Sequence, residues 1–225
     1  MVKKIQKARI KKRTDNKVDK SEKQFFWVVG VVVVMLLIII FVPLIKTYFF
    51  DRFEYGGVQF EKLEQGEITF YHGIFPIIYN GDLISYHNFY FRTDPRKNDI
   101  AVNTSFKLSK NVIIGLSPGV EECQSIVLAQ PQLATFIKAF PFVTNLSSGI
   151  NDRNAANSMN LSYVGCENAS DGTTVVLIRK SSAPSIDLGS RSNCYIFNVG
   201  ECEYLETVEK YMMSVAAQIN NVTIN

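Results

Sequence analysis

An uninterrupted apolar run near the N-terminus limits most strongly what this chain can fold into. Residues 25–45 read FFWVVGVVVVMLLIIIFVPLI, which is 21 residues without a charged side chain. As a helix the run would be about 31 Å long, close to the hydrocarbon thickness of a bilayer. A buried core helix is shorter and less uniformly apolar, and the following residues, KTYFF, offer no signal-peptide cleavage site. The run predicts an uncleaved transmembrane helix over residues 25–46.

Basic residues are concentrated on one side of this run. Residues 1–24 contain ten Lys and Arg against three Asp and Glu, whereas residues 47–225 contain thirteen against eighteen. By the positive-inside rule the N-terminus lies in the cytoplasm and the C-terminal part lies outside. We therefore expect a signal anchor with type II, single-pass topology in the cell membrane. Its parts are a basic cytoplasmic tail over 1–24, a transmembrane helix over 25–46 and an extracytoplasmic domain over 47–225.

The basic tail admits three interpretations. Its charges could bind anionic lipid headgroups, at about 1 kcal/mol for each basic residue near the surface. They could bind nucleic acid through counterion release, although we expect no nucleic-acid partner. The interpretation that we prefer is that the charges only fix the topology. The bilayer itself is then the expected partner of this part of the chain.

All four cysteines lie in the part predicted to be exported, at Cys123, Cys166, Cys194 and Cys202. An even number on the oxidising side of a membrane predicts two disulfides. No CxxC pair is present, which disfavours structural zinc and a thiol redox motif, and we expect no metal or cofactor. Three pairings remain open. A straight strand after Cys194 would hold it too far from Cys202, so we favour long-range pairs.

Five N-x-S/T sequons agree with export and with possible glycosylation of surface loops. They lie at Asn103, Asn145, Asn160, Asn168 and Asn221. An accidental match within polar loops explains them equally well.

The exported part is predicted to be an α+β domain whose first half is rich in strands. Short β-branched and aromatic runs, separated by turn signals, are typical of strands. They cover Val58–Leu63, Glu67–His72, Ser85–Arg92, Ile100–Phe106 and Asn111–Leu116.

The second half of the domain mixes strands and helices. An apolar stripe predicts a helix within Val120–Phe140, split or kinked at Pro131 and ended by Pro141. Residues 151–154 are interpreted as a polar loop. An amphipathic helix is predicted to begin at Glu203 and to end the domain. Three further strands are predicted at Thr173–Arg179, Ser185–Leu188 and Asn193–Val199.

Aromatic residues are unusually dense in the segment 70–91, which holds eight Phe and Tyr. Exposed, they would form a platform for a sugar or a peptide; buried, they would be strand packing, which we prefer. The next segment, RTDPRKND, could bind an anion through its arginines, although a self-satisfied ionic turn is the simpler interpretation. The candidate binding residues are Tyr71, Tyr79, Tyr86, Tyr90, Arg92, Asp94 and Arg96.

No catalytic motif is present in the sequence: it lacks HExxH, GxSxG, a P-loop and GxGxxG, and it has two histidines. We therefore expect a structural or binding role toward a protein or glycan partner outside the cell. Two alternatives remain open. One is an extracytoplasmic hydrolase that uses carboxylates in an unrecognised cleft, and the other is a thiol–disulfide protein.

Three sequence blocks carry a resemblance. They are FEYGGVQF over residues 53–60, FRTDPR over 91–96, and the pair CYI over 194–196 and CEYLETVEK over 202–210. Together with the basic tail and the single span, these blocks resemble a group of single-pass membrane proteins of small-genome archaea. The resemblance covers most of residues 50–215. It implies a membrane compartment and a lineage, but it implies no activity.

Overall fold

The computed structural model describes residues 2–46, 51–222 and 224. The chain divides into two compact units, Met1–Asp51 and Arg52–Asn225. We refer to the second unit as the C-terminal domain.

The first unit contains one long helix, α1 (Val2–Ile45). Its segment Lys23–Lys46 has a mean hydropathy of 3.4 and none of its most apolar window is buried. Within the described residues this is the one helix that is long and apolar enough to cross a membrane. An unburied apolar helix of this length requires an apolar environment, so the finding agrees with a membrane anchor.

The C-terminal domain begins with an antiparallel meander, sheet A, in which consecutive strands are neighbours. Its strands are β1 (Arg52–Tyr55), β2 (Val58–Gln65), β3 (Ile68–Tyr79) and β4 (Asp82–Phe91). Gly73 lies opposite Phe60 in the register of β2 and β3. A Cβ atom at Gly73 would lie 2.6 Å from the Phe60 ring, so this position has no room for a side chain.

A six-stranded mixed sheet, sheet B, follows, with the spatial order β5-β9-β10-β8-β6-β7. Strands β6, β7, β8 and β10 are parallel, whereas β9 runs antiparallel to β10. The strands are β5 (Ala101–Val102), β6 (Asn111–Leu116), β7 (Asn145–Ile150), β8 (Thr173–Arg179), β9 (Pro184–Leu188) and β10 (Cys194–Val199).

Three α-helices accompany sheet B: α2 (Ile126–Lys138), α3 (Arg153–Met159) and α4 (Tyr204–Ile219). Short 3-10 helices lie at Pro95–Lys97, Val120–Glu122 and Cys166–Asn168. The mixed α+β fold, with an N-terminal apolar helix, a strand-rich first half and a final helix, confirms the sequence prediction.

Helix α4 is buried on every side and connects the two sheets. From Tyr204 to Ala217 all its residues are buried except Glu206. A helix that is buried all round must be covered on opposite faces. One side contributes Val208, Met212 and Tyr211 to a core shared with both sheets and α2. A second, smaller core lies on the other face of sheet B, around Val175 and Leu177.

Both predicted disulfides are formed, and both are long-range pairs. Cys123 is bonded to Cys202, which lies 79 positions later in the sequence, and their Cα atoms are 5.1 Å apart. Cys166 is bonded to Cys194, with Cα atoms 5.4 Å apart. The first bond joins the segments that precede α2 and α4. The second joins the turn before β8 to the start of β10. Zinc coordination by these cysteines is therefore excluded.

Three local predictions are wrong for physical reasons. The strand expected over Ile100–Phe106 is reduced to the two residues of β5, because the Gln218 side chain donates to and accepts from the backbone of Phe106, each at 2.8 Å. Residues 151–154 are not a loop throughout: Asp152 caps α3 by accepting from the Ala155 N–H at 2.7 Å. Helix α2 is not split at Pro131 but continues through it, since buried neighbours such as Leu133 hold it in place.

Candidate functional site

The aromatic segment of β3 and β4 is divided between two faces of sheet A. Phe75, Phe89 and Phe91 are fully buried on the inner face, against the domain core. Tyr86 and Tyr90 point the other way and are 62% and 52% exposed. Strand alternation produces this division, because neighbouring residues project to opposite faces. Strand packing, the interpretation preferred from sequence, therefore accounts for only part of the aromatic cluster.

The outward-facing side chains form cross-strand neighbours. His72 lies opposite Tyr90 and Ile74 lies opposite Asn88 in the register of β3 and β4. The ring of Tyr90 stacks on that of His72 with centroids 4.7 Å apart. His72 Nε2 lies 3.2 Å from Asn88 Oδ1. These contacts hold the two aromatic rings against each other on the open side of the sheet.

Arginine extends this surface at one end. The Arg92 guanidinium lies over the ring of Phe70, 4.5 Å from its centroid. Ile74 is exposed farther along β3, opposite Asn88. We call the set the outer face of sheet A, and it comprises Phe70, His72, Ile74, Tyr86, Tyr90 and Arg92. Exposed contiguous apolar surface of this kind is typical of an interaction site.

The tip of the β3–β4 hairpin adds further exposed apolar side chains. They are Ile78, Tyr79, Leu83 and Ile84, which flank the turn at Asn80-Gly81. Tyr79 also contacts the ring of Phe142, with centroids 5.9 Å apart. The hairpin tip therefore continues the apolar surface beyond Val58, where β2 begins.

Asp94 and Arg96, two of the predicted binding residues, form a self-contained turn instead. Arg96 donates to the carboxylate of Asp94 through Nε at 2.9 Å and Nη2 at 2.7 Å. Burial opposes ionisation of Asp94, but the hydrogen bonds and the charge of Arg96 outweigh it and lower the pKa. Arg96 also covers the ring of Phe53, 3.8 Å from its centroid. Tyr71, which is half-buried, contacts the same ring from the inner face.

A buried carboxylate joins the end of β4 to α4. Glu209 is 1% exposed and accepts from the backbone N–H groups of Arg92 at 2.7 Å and Thr93 at 3.2 Å. Burial raises the pKa of Glu209 to about 8. Nearby, Lys210 Nζ donates to the Asn98 carbonyl at 2.9 Å. The contacts of Glu209 and Lys210 attach the segment that follows β4 to α4, and their role here is structural.

Converging carboxylates and metal ligands were the expected signs of a hydrolytic site. In the described part of the chain, no group of three or more His, Cys, Asp and Glu is placed to hold a metal ion. Glu209 is perturbed, but it is enclosed and its two oxygens are used by backbone donors. A perturbed carboxylate of this kind supports packing and is not positioned to meet a substrate.

A second polar cluster lies on the far face of sheet B. Asp187 accepts from Asn103 Nδ2 and from Ser185 and Asn198, each at 2.7 Å. The Asn103 hydrogen bond is the main cause that lowers the pKa of Asp187. Arg179 Nε completes the cluster by donating to Asn198 Oδ1 at 2.8 Å. Each of these groups satisfies another, which is typical of a solvated sheet surface.

The sequon asparagines are all on the surface: Asn103, Asn145, Asn160, Asn168 and Asn221 are exposed. Several already make hydrogen bonds, as Asn103 does to Asp187 and Asn168 does to the Gly165 N–H at 2.9 Å. Exposure is the physical requirement for glycan attachment.

Sequence reasoning missed half of the outer face of sheet A. Phe70, His72 and Ile74 alternate along β3 with the inward Tyr71, Gly73 and Phe75. The signal was visible: in the segment ITFYHGIFPIIY both sets of alternate positions are apolar or aromatic, whereas a sheet with one solvated face alternates with polar residues. Comparison with known proteins adds no assignment, since no family model, no curated protein and no solved structure matches the chain.

Proposed function

We propose that this chain is a membrane-anchored binding protein whose C-terminal domain recognises a protein partner through the outer face of sheet A. The observation that carries the proposal is the group of exposed side chains Ile74, Tyr86 and Tyr90, beside half-buried aromatic rings, on a sheet face that no other described element of the C-terminal domain covers. Leaving such side chains in water forfeits about 25 cal/mol for each Å² of apolar surface, so a partner that covers them gains binding energy.

The chemistry of the surface favours a protein partner. Rigid aromatic residues and arginine are the residue types enriched where protein interfaces concentrate their binding energy. Tyr90 is held by His72, and Arg92 is held over Phe70, so both are preorganised for contact. A glycan partner stacking on Tyr86 and Tyr90 is the alternative that the test below separates.

The proposal includes the topology inferred from sequence. We place residues 1–24 in the cytoplasm, residues 25–46 in the membrane and the C-terminal domain outside the cell. Two disulfides support an oxidising environment for the domain. The basic excess of the first 24 residues supports the orientation. Protease added to intact cells is expected to remove the domain, and protection of the domain would contradict this orientation.

Neither alternative function has a comparable observation in its favour. A thiol–disulfide protein needs a reachable cysteine pair, yet Cys123 and Cys194 are buried and no cysteine of the described chain is free. A hydrolase needs polar groups that converge in an open cleft, and Glu209 is enclosed. The binding role therefore remains the proposal that the arrangement supports best.

The test uses a photo-crosslinking amino acid at Ile74, at the centre of the outer face, in the full-length chain in native membranes. We expect one dominant protein adduct on irradiation. The matched control carries the crosslinker at Leu188, which is 49% exposed on β9, the same exposure as Ile74. Leu188 is expected to give no such adduct.

A substitution on the outer face tests whether Tyr90 takes part in the contact with the crosslinked partner. Substitution Tyr90→Ser in the Ile74 crosslinker chain is expected to reduce the adduct at least tenfold, because it removes the exposed ring and leaves the core intact. Equal adducts from the two crosslinker positions, or an adduct unaffected by Tyr90→Ser, would show that the outer face is not the binding surface. A glycan in place of a protein adduct would support the stacking alternative.

A further inference from the structure

The two edges of sheet A differ in how they are protected against further strand pairing. Strand β1 has four residues, and it carries Arg52 and Glu54. Strand β4 has ten residues, and from Leu83 to Phe91 it contains no Lys, Arg, Asp, Glu or Pro. Charges, prolines and short length are the usual devices that prevent pairing at a sheet edge. Only the β1 edge has them.

The register identifies which backbone groups of β4 face the open edge. Pro76, which has no N–H, lies opposite Tyr86, so this is a pair without hydrogen bonds between β3 and β4. Alternation then directs the N–H and C=O groups of Tyr86, Asn88 and Tyr90 away from β3. Gln132 Nε2 donates to the Tyr90 carbonyl at 3.3 Å, as this orientation requires. Within the described residues, the backbone groups of Tyr86 and Asn88 meet no other partner.

A groove of about 460 Å³ lies along one half of the same edge, from His87 to Arg92. Its walls are His87 and Tyr90 on β4 and Leu128, Pro131 and Thr135 on one side of α2. Leu128 is 49% exposed in this groove. An added strand would therefore find open hydrogen-bonding groups together with space for its side chains, which are the two requirements for strand addition.

We infer that the occupant of this edge is β4 of a second copy, paired antiparallel about a twofold axis near His87. The charges select this occupant. Asp82 begins β4 and Arg92 follows it, so antiparallel self-pairing brings the acidic end of each copy to the basic end of the other. The middle of the strand is uncharged, so no like charges meet. Anchoring in one membrane further raises the effective concentration of the second copy.

The open backbone groups of β4 belong to the even-numbered residues, so the two copies can pair only in registers that place even-numbered residues opposite each other. An axis at His87 places Tyr86 opposite Asn88 of the other copy and places the two copies of His87 opposite each other, at a position without hydrogen bonds. Cα atoms at such a position are about 4.5 Å apart, which is within disulfide range. The two proposals share Tyr86 and Tyr90 but use different groups of them, since the outer-face partner contacts their side chains and strand pairing uses their backbone. Ile74 lies on β3, away from the edge, and belongs to the outer face alone.

The test is disulfide crosslinking of the full-length chain in membranes, where the four native cysteines are already paired. His87→Cys is expected to give a disulfide-linked dimer under mild oxidation. The matched control is Ser85→Cys on the same strand and face, whose two copies would lie about 13 Å apart along the strand. Ser85→Cys is expected to stay monomeric.

A substitution that blocks pairing of the two β4 strands distinguishes a specific dimer from random collision of two chains in the membrane. Asn88→Lys in the His87→Cys chain is expected to slow dimer formation at least tenfold, because it places two like charges near the axis. Gln59→Lys, on the same sheet face but on β2, is expected to have no effect. The unmodified chain in detergent is expected to have the mass of a dimer and Asn88→Lys that of a monomer.

Several results would overturn the inference. They are equal crosslinking of Ser85→Cys and His87→Cys, unchanged crosslinking with Asn88→Lys, a monomeric unmodified chain, and an adduct of His87→Cys with a different protein. An Ile74→Asn variant that loses the outer-face partner is expected to crosslink at His87→Cys unchanged. Failure of one proposal is therefore distinguishable from failure of the other.

Discussion

Sheets A and B are both rich in apolar residues, but they are covered differently. The central strand β8 of sheet B has buried residues on both faces, with Val176 and Ile178 in the main core and Val175 and Leu177 in the second core. Sheet A is buried on one face, and its other face exposes Tyr86 and the rest of the outer face. In sheet B, apolar side chains on both sides of a strand are explained by the two cores that cover them. In sheet A, no second core covers the apolar side chains of the outer face.

The difference shows what carries functional information in this fold. Parallel strands are normally covered on both faces, so the apolar run of β8 follows from its topology. An antiparallel meander with one open face normally exposes polar residues. Strands β1 and β2 follow that rule with Arg52, Glu54 and Gln59, whereas β3 and β4 depart from it. The departure, and not the abundance of aromatic residues, points to a binding surface.

The largest expected effect concerns the disulfides, which are both in the part of the domain built around sheet B. In the chain-entropy model, the loops closed by Cys123–Cys202 and Cys166–Cys194 are worth about 4.5 and about 3.6 kcal/mol. Replacing all four cysteines with alanine removes most of a typical stability of about 5–15 kcal/mol. We expect the C-terminal domain to be largely unfolded at 37 °C, as measured by near-ultraviolet circular dichroism of the full-length chain.

Removing one disulfide at a time shows whether sheets A and B unfold separately. Removing only Cys166–Cys194 is expected to speed amide hydrogen exchange in β8 and β10 more than in β2 and β3, because this bond lies against the second core of sheet B. Equal acceleration in both sheets would mean that they unfold as one unit. No change in exchange would mean that the bond contributes nothing to sheet B.

The next effect compares two adjacent residues of β4 that face opposite ways. Phe89→Ala is expected to lower the free energy of unfolding by about 3–5 kcal/mol, because Phe89 is fully buried and its ring packs against those of Phe75, Phe91 and Phe136. Tyr90→Ala is expected to lower it by less than about 1 kcal/mol, since Tyr90 is half exposed. Denaturant unfolding of the two variants measures the difference.

A similar loss from both substitutions would contradict the division of β4 into a buried and a free face. It would mean that Tyr90 is covered in the native assembly. The test is therefore made in dilute detergent with Asn88→Lys also present, which is expected to keep the chain monomeric. It is repeated in native membranes without Asn88→Lys, where a bound partner would add to the loss from Tyr90→Ala.

The sequence predicted the parts of this fold that follow from local pattern. Strands β6 and β8 were predicted to the residue, because Asn111–Leu116 and Thr173–Arg179 are apolar runs between turns. Strand β7 escaped prediction, since NLSSGI is polar and is fixed by parallel pairing with β6. Helix α3 depends on a cap at Asp152, and in the sequence such a capped start is hard to distinguish from a polar loop.

The candidate site was predictable only in part. Tyr86 and Tyr90 were identified from aromatic density and Arg92 from the charged segment RTDPRKND, and all three are exposed on the outer face. Asp94 and Arg96 were included with them but bind each other. Which of two alternate sets faces water depends on where α2 and α4 pack, and that is decided by tertiary contacts far apart in sequence.

The smallest expected effect tests the polar link between sheet A and α4. Burial raises the pKa of Glu209 from 4.5 to about 8, so the folded chain holds this proton more tightly than the unfolded chain does. The resulting stability is complete below pH 4.5 and is lost as the pH rises through 8. We expect the free energy of unfolding to decline between pH 6.5 and 8, a window above the titration of His87, whose pKa burial lowers from 6.5.

Glu209→Gln removes the titrating proton and is expected to remove this decline. The amide cannot accept from both Arg92 and Thr93, so the variant is less stable overall, and the informative quantity is the slope of its stability against pH. Glu203→Gln, at the exposed start of α4, is expected to keep the slope of the unmodified chain. If the slope persists in Glu209→Gln, another group causes it, and the attachment of sheet A to α4 is then apolar, like that of sheet B.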